Sequence, residues 1–169
     1  THTFDLDEDK SSCSSISELV TNTDIIFICV PTPMNKDGSC NIDTVESVIK
    51  EINSVGKDDT IVAIKSTIPP GTTNRLNKTY NYLSVVFNPE FLTEANFIDD
   101  FKNQNRIIIG GPRPATTILK TIYSKVFPMI PVIKTGSITA EMVKYMTNTF
   151  LATKVSFANE MYQICDKLN

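Results

Sequence analysis

Apolar positions along the chain fall into two alternating periods. Short unbroken runs recur at DIIFICV (24–30), TIVAIKST (60–67), SVVFNPE (84–90), RIIIGG (106–111) and PVIK (131–134). They are rich in β-branched and aromatic residues, the signature of strands buried on both faces. Between them the spacing lengthens to helical. ISELVTN (16–22) ends a helix. A second helix starts at Asp43, carries Val45, Val48, Ile49 and Ile52 on one face, and closes at Gly56. TTNRLNKTY follows the Pro69-Pro70-Gly71 turn as a short helix, and Ala95–Phe101 forms a short helix or loop. Pro114 to Phe127 reads as a helix with Ile118, Leu119, Ile122 and Val126 on one side. From a cap at Ser137 or Thr139 a last helix runs to about Leu168, roughly 45 Å at the α-helical rise.

Strands separated by helices imply crossover connections. The expected fold is α/β: a partial Rossmann-like, mainly parallel sheet with flanking helices, followed by the long C-terminal helix. Met142, Met146, Phe150, Phe157 and Met161 give that helix an apolar stripe, which predicts cover from a second domain or another subunit.

Composition narrows the picture. With 169 residues, 41% apolar and 21% charged, the chain matches one globular domain with a short appendage. A net charge of -3 and scattered basic residues argue against nucleic-acid binding. No apolar run approaches the roughly 18 residues that cross a bilayer, and the polar, acidic start is not a secretory signal. Cys13, Cys29, Cys40 and Cys165 form no CxxC pair, and His2 is the one histidine, so no metal site is expected. Cys29 and Cys165, set in apolar runs, read as small core residues of a reduced cytoplasmic protein.

In open α/β sheets ligands bind beyond the carboxyl ends of the strands. Val30-Pro31-Thr32-Pro33 is either a plain strand stop or a stiff ligand loop. Lys65-Ser66-Thr67, ahead of the Pro-Gly turn, offers hydroxyls at a helix start, for an anion or for ordinary capping. Asn88-Pro89-Glu90-Phe91-Leu92-Thr93-Glu94 places two carboxylates four residues apart, on open surface or in a cleft that uses one as a base. Lys144 and Asn148, at i,i+4, are either a solvated helix face or a pair of donors for an oxyanion. No GxGxxG turn or GxxxxGK[ST] loop is present, and a single histidine leaves no Ser-His-Asp set.

VPTPMNKDGSCNID, VAIKSTIPPGTT, NPEFLTEANFIDDFKNQNRIIIGG and TAEMVKYMTNTFLATKVSFANEM together resemble the UDP-glucose/GDP-mannose dehydrogenases from about Ile16 to Asn169. The likeness is strongest to the branch acting on UDP-glucose, with GDP-mannose and UDP-N-acetylmannosamine as alternatives. It implies NAD-dependent oxidation of a nucleotide sugar's C6 alcohol to a carboxylate, two NAD in succession, through thiohemiacetal and thioester intermediates on a cysteine. Carried over by position, Glu90 assists thioester hydrolysis, Lys144 and Asn148 stabilise the oxyanion, and Thr67 holds a catalytic water. Val30, Pro31, Thr32, Ser66 and Glu94 contact NAD. Glu90, Phe91, Leu92, Thr93, Glu94, Lys144 and Asn148 face the substrate. The resemblance also implies that residues 1–136 are the later part of an NAD-binding domain, and that 137–169 begin a central helix that joins domains and builds a homodimer or higher oligomer. Ala95 stands where the family has glycine, and NQNR where it has Pro-Asp-Arg. The family's glycine turn and GGxC nucleophile have no match here. The chain is therefore expected to be the central portion of such an enzyme, inactive alone and binding NAD weakly. A non-catalytic αβ dimerisation or scaffold remnant is the second reading.

Overall fold

The computed structural model describes residues 1–55, 57–93 and 95–168. Five strands, β1 (Ile25–Ile28), β2 (Thr60–Ile64), β3 (Leu83–Phe87), β4 (Ile107–Gly110) and β5 (Val132–Thr135), lie side by side in chain order. Pairs β1–β2, β2–β3 and β4–β5 are parallel, and β3–β4 is antiparallel. The chain thus forms the mainly parallel α/β sheet expected of it, with one reversal. The parallel steps are carried by α2 (Asp43–Ser54), α3 (Thr72–Thr79) and α5 (Ala115–Val126). Between β3 and β4 stands only α4 (Phe97–Lys102), six residues with none buried. The antiparallel ladder is one pair long, Phe87 with Gly110. The Asn88 side chain extends it by donating to the Ile108 carbonyl (2.8 Å).

One face of the sheet packs against α1 (Ile16–Thr21), α2 and α3. Val20, Val45, Ile49, Ile52 and Leu76 close over Ile28, Val62, Ile64, Val85 and Phe87. Each such side chain contributes about 1.5–3 kcal/mol on burial. The other face carries α5 through Ala115, Leu119 and Tyr123. This corrects the expected α5 face: of the anticipated stripe only Leu119 is buried, while Ile118, Ile122 and Val126 are exposed. The stripe one position round, at i, i+4 and i+8, is the one aimed at the sheet. Cys29 and Cys165 are exposed, not core, and Cys13 is the buried cysteine. Cys29 follows the edge strand β1 on the side of the exposed Phe27, opposite the buried Ile26 and Ile28. The closing residue proposed for α2, Gly56, lies outside the described residues.

The last helix, α6 (Ser137–Leu168), begins at Ser137 itself, one of the two residues offered as its cap. Its buried residues are Ser137, Ala140, Glu141 and Lys144, so only its first two turns are packed into the domain. Among the described residues no helix is long and apolar enough to cross a membrane.

Candidate active site

The carboxyl ends of β1, β2 and β3 open on one edge of the sheet. Because β4 runs the other way, its first residues arrive at that same edge. At the tip of β1 the stiff Val30-Pro31 segment is held by Ser66, whose hydroxyl donates to the Val30 carbonyl (2.6 Å). Ser66 is thus a buried brace between two strand ends, and its proton is committed to protein. Thr32, Thr67 and Asn148 line a cavity of about 730 Å³ with Cys40, Tyr145 and Met34. Desolvation and the neighbouring Cys40 push the Tyr145 hydroxyl up to about 12, so it is a neutral donor at physiological pH.

At the tip of β3, residues 88–93 leave the sheet without forming a helix. Glu90 thus stands on irregular chain, and Glu94, the second carboxylate of the sequence reading, lies outside the described residues. The Glu90 carboxylate is fixed from two sides: the Leu92 amide donates to Oε2 (2.6 Å) and the Lys144 ammonium to Oε1 (2.9 Å). Lys144 donates a second time, to the Glu90 carbonyl (2.6 Å). Thr93 ties the loop to α4 by donating from its amide (2.8 Å) and hydroxyl (2.6 Å) to Asp100, which holds that carboxyl below its ordinary range. Phe91 lies under two cations, with the Arg106 guanidinium 4.8 Å and the Lys144 ammonium 5.5 Å from its centroid. Glu90, Phe91, Leu92 and Thr93 line a second cavity, about 350 Å³, with Lys65 and Arg106.

Lys144 is 4% exposed, which disposes of the solvated-face reading for it. A lysine this buried needs a partner, and Glu90 supplies it. Asn148, one turn on, is exposed and faces the larger cavity. The structure thus gathers Thr32, Thr67 and Asn148 in one cavity and Glu90 to Thr93 in the other, with Lys144 buried against Glu90. Val30, Pro31 and Ser66 line neither.

Four residues were given no individual role by the sequence reading, although Asn88 and Lys65 lie within its motifs. Asn88, fully buried, accepts on Oδ1 from Tyr123 and from Lys65 (3.4 Å), fixing the strand exit that carries Glu90. Burial lowers the Lys65 ammonium below its usual value and pushes the Tyr123 hydroxyl up to about 12. The fourth is Glu141, 0% exposed. Its carboxylate accepts from the Gly71 amide (2.6 Å), the Thr73 amide (2.8 Å) and the Thr73 hydroxyl (2.7 Å). The start of α3, read as a place for an anion or for ordinary capping, is therefore filled by the protein's own carboxylate. One signal lay in the sequence: α3 has a glycine before it and no acid in its first turn, while Glu141 falls on the stripe of Lys144 and Asn148.

Residues 6–127 match the model of the UDP-glucose/GDP-mannose dehydrogenase family NAD-binding domain, and 138–169 that of the family's central domain. UDP-glucose 6-dehydrogenase YwqF of Bacillus subtilis is 39% identical over 160-odd residues, covering 92% of this chain and 37% of that protein. A UDP-glucose dehydrogenase structure from Pyrobaculum islandicum superposes with a TM-score of 0.80 at 37% identity, over 88% of this chain and 37% of that one. The GDP-mannose dehydrogenase of Pseudomonas aeruginosa gives 0.80 at 31% identity, over 89% and 37%. The chain thus spans well under half the length of the relatives it matches.

Proposed function

This chain belongs to the UDP-glucose/GDP-mannose dehydrogenase family, and from that premise we propose that it carries part of the active site of an enzyme that oxidises the C6 alcohol of UDP-glucose to the carboxylate. The observation that supports this most is the buried Lys144 ammonium bonded to both the carbonyl and the carboxylate of Glu90. Residues 1–136 are the NAD-binding part and 137–169 the start of the central helix.

The NAD-binding family implies a nicotinamide cofactor. The residues present suit its nicotinamide end: Thr32 and Thr67 hydroxyls and the Asn148 amide stand among the apolar Pro33, Met34 and Ala152. Neutral donors and acceptors on apolar walls match a flat ring with a carboxamide. The chemistry a nicotinamide would supply there is hydride acceptance, one hydride per oxidation step. Thr32 belongs to that wall, and Val30, Pro31 and Ser66 act from outside it, Ser66 holding the approach to Thr32 through the Val30 carbonyl. Glu90, Phe91, Leu92 and Thr93 border the sugar. Lys144 and Asn148 donate to oxygen as negative charge builds on it, in a site where Lys144 is already desolvated. Thr67 holds the water that supplies the second carboxylate oxygen, and Glu90 takes its proton. Cys13, Cys29, Cys40 and Cys165 lack the GGxC setting of the family's nucleophile, so none is given that role, and this chain by itself is expected to give no turnover. The protein acts as a cytoplasmic homodimer or higher oligomer in polysaccharide precursor synthesis.

The test is reduction of NAD by the full-length protein, followed by absorbance with UDP-glucose, GDP-mannose and UDP-N-acetylmannosamine in parallel. UDP-glucose is expected to give the highest kcat/KM, with about two NAD reduced per sugar. A clear preference for either of the others moves the substrate assignment, and no turnover with any of them removes the dehydrogenase reading.

A further inference from the structure

We infer that Glu141 is a positioning residue of this site: its buried carboxylate bolts the Thr67 turn to α6, and so sets the separation of Thr67 from the Lys144–Asn148 pair. The inference rests on the dehydrogenase reading above and adds a residue to it.

Helix α3 starts without help from its own sequence. Gly71, in the N-cap place at φ 94°, has no side chain to offer, and the first turn holds no acid. The free amides there need an acceptor, and an anion is favoured by the helix dipole. Glu141 fills both needs from 70 residues away, with three donors on two oxygens at 2.6–2.8 Å. An unpaired carboxylate at 0% exposure would be prohibitively costly, so the contact has little freedom to drift.

Each end of this bolt leads straight to a proposed catalytic group. On one side Gly71 follows Thr67 by four residues. Between them Ile68 is fully buried and Pro69 and Pro70 have fixed φ, so the segment is stiff. Pinning Gly71 therefore pins Thr67. On the other side Glu141, Lys144 and Asn148 stand at i, i+3 and i+7 on one face of α6. The cavity lined by both Thr67 and Asn148 is thus framed by two elements whose buried hydrogen-bonded joint is Glu141. Ordinary helix capping would need only an acceptor on α3. It would not require that acceptor to come from the helix carrying Lys144.

The test is Glu141→Gln in the full-length protein. The amide offers one acceptor and turns an NH2 toward a backbone donor, so the joint loosens without loss of volume. Expected are a monodisperse, folded protein and faster amide exchange at residues 66–73. With it kcat should fall by about 10- to 100-fold, while the KM values for UDP-glucose and NAD stay within about twofold, since misplacement by an ångström costs about this much in rate. Thr73→Val, which removes one donor and leaves α3 intact, should shift both readouts the same way by less. Combined with Glu141→Gln it should add little. If Glu141→Gln is insoluble, Thr73→Val carries the test alone. Unchanged kcat with faster exchange would reduce Glu141 to a helix cap, and unchanged exchange would remove the joint itself. If wild-type protein fails to reduce NAD with any nucleotide sugar, the dehydrogenase reading falls, and the exchange measurement still decides whether the joint exists.

Discussion

Ala140 rests directly on Gly110: a Cβ built at Gly110 would lie 2.5 Å from the Ala140 methyl and 3.0 Å from the Gly136 carbonyl. The first turn of α6 therefore sits on bare backbone of β4, one helical turn before Lys144. Gly110→Ala must push the helix away from the sheet. The expected cost is about 1–3 kcal/mol of stability, as for other overpacked cores, read as a lower urea midpoint. In the full-length protein kcat should fall with it, since Lys144 rides on the displaced turn. A variant with wild-type stability would mean that α6 does not depend on this contact.

Lys144→Ala removes the ammonium from Glu90 and from the proposed oxyanion. Loss of one such donor lowers kcat by about 10²–10³-fold. NAD affinity should change little, because Lys144 does not line the Thr32–Thr67 cavity. Steady-state kinetics with an independent binding measurement separate the two effects, and a wild-type kcat would end the assignment.

Much of this was legible in the sequence because both periods are strong. All five strands and the helices fall within a few residues of the expected places. What the pattern could not carry was direction, depth and distant partners. IIIG looks the same whether it runs with β3 or against it, and only the six-residue α4 hints that no crossover intervenes. Ile118, Ile122 and Val126 are as apolar as a core stripe, yet Ala115, Leu119 and Tyr123 face the sheet. Apolar spacing gives a face but not the element it meets. In the site, Glu90 was singled out at a strand exit and Lys144 on the long helix, and the family resemblance gave each a role, but their bond spans 54 residues and belongs to the fold. Glu141 was missed for the same reason: its place on the stripe of Lys144 and Asn148 was legible, but its pairing with a glycine-capped helix 70 residues earlier was not.

Beyond Asn148, α6 is exposed on every side, with Phe150 at 64%, Phe157 at 64% and Met161 at 40%. Covering each of these is worth about 1.5–3 kcal/mol. The protein is expected to self-associate through this stripe, giving at least twice the protomer mass by light scattering at micromolar concentration. Phe150→Glu with Phe157→Glu should shift it toward monomer and leave the packed first turns of α6 intact. A monodisperse wild-type monomer would count against the stripe as an interface.

The Tyr123 hydroxyl donates to Asn88 from within the α5 face, where burial raises it to about 12 against an ordinary value near 10. The folded state therefore holds this proton more tightly than the unfolded chain does. Its contribution is complete below about pH 10 and is lost as pH climbs from there towards about 12. The window is worth on the order of 3 kcal/mol at the conversion of 1.36 kcal/mol per pH unit. Tyr123→Phe should cost about 0.5–1.5 kcal/mol at pH 7 through the lost hydrogen bond, with Asn88 keeping Lys65 as its other donor. Between pH 10 and 12 the variant should lose less stability than wild type, so the two curves converge. Some alkaline slope will remain in the variant, because Tyr145 is also raised to about 12. Urea midpoints at pH 7, 10 and 11.5 measure both effects. Parallel curves at a constant offset would mean that Tyr123 ionises as freely in the folded protein as in the unfolded one, and that the Asn88 contact does not hold its proton.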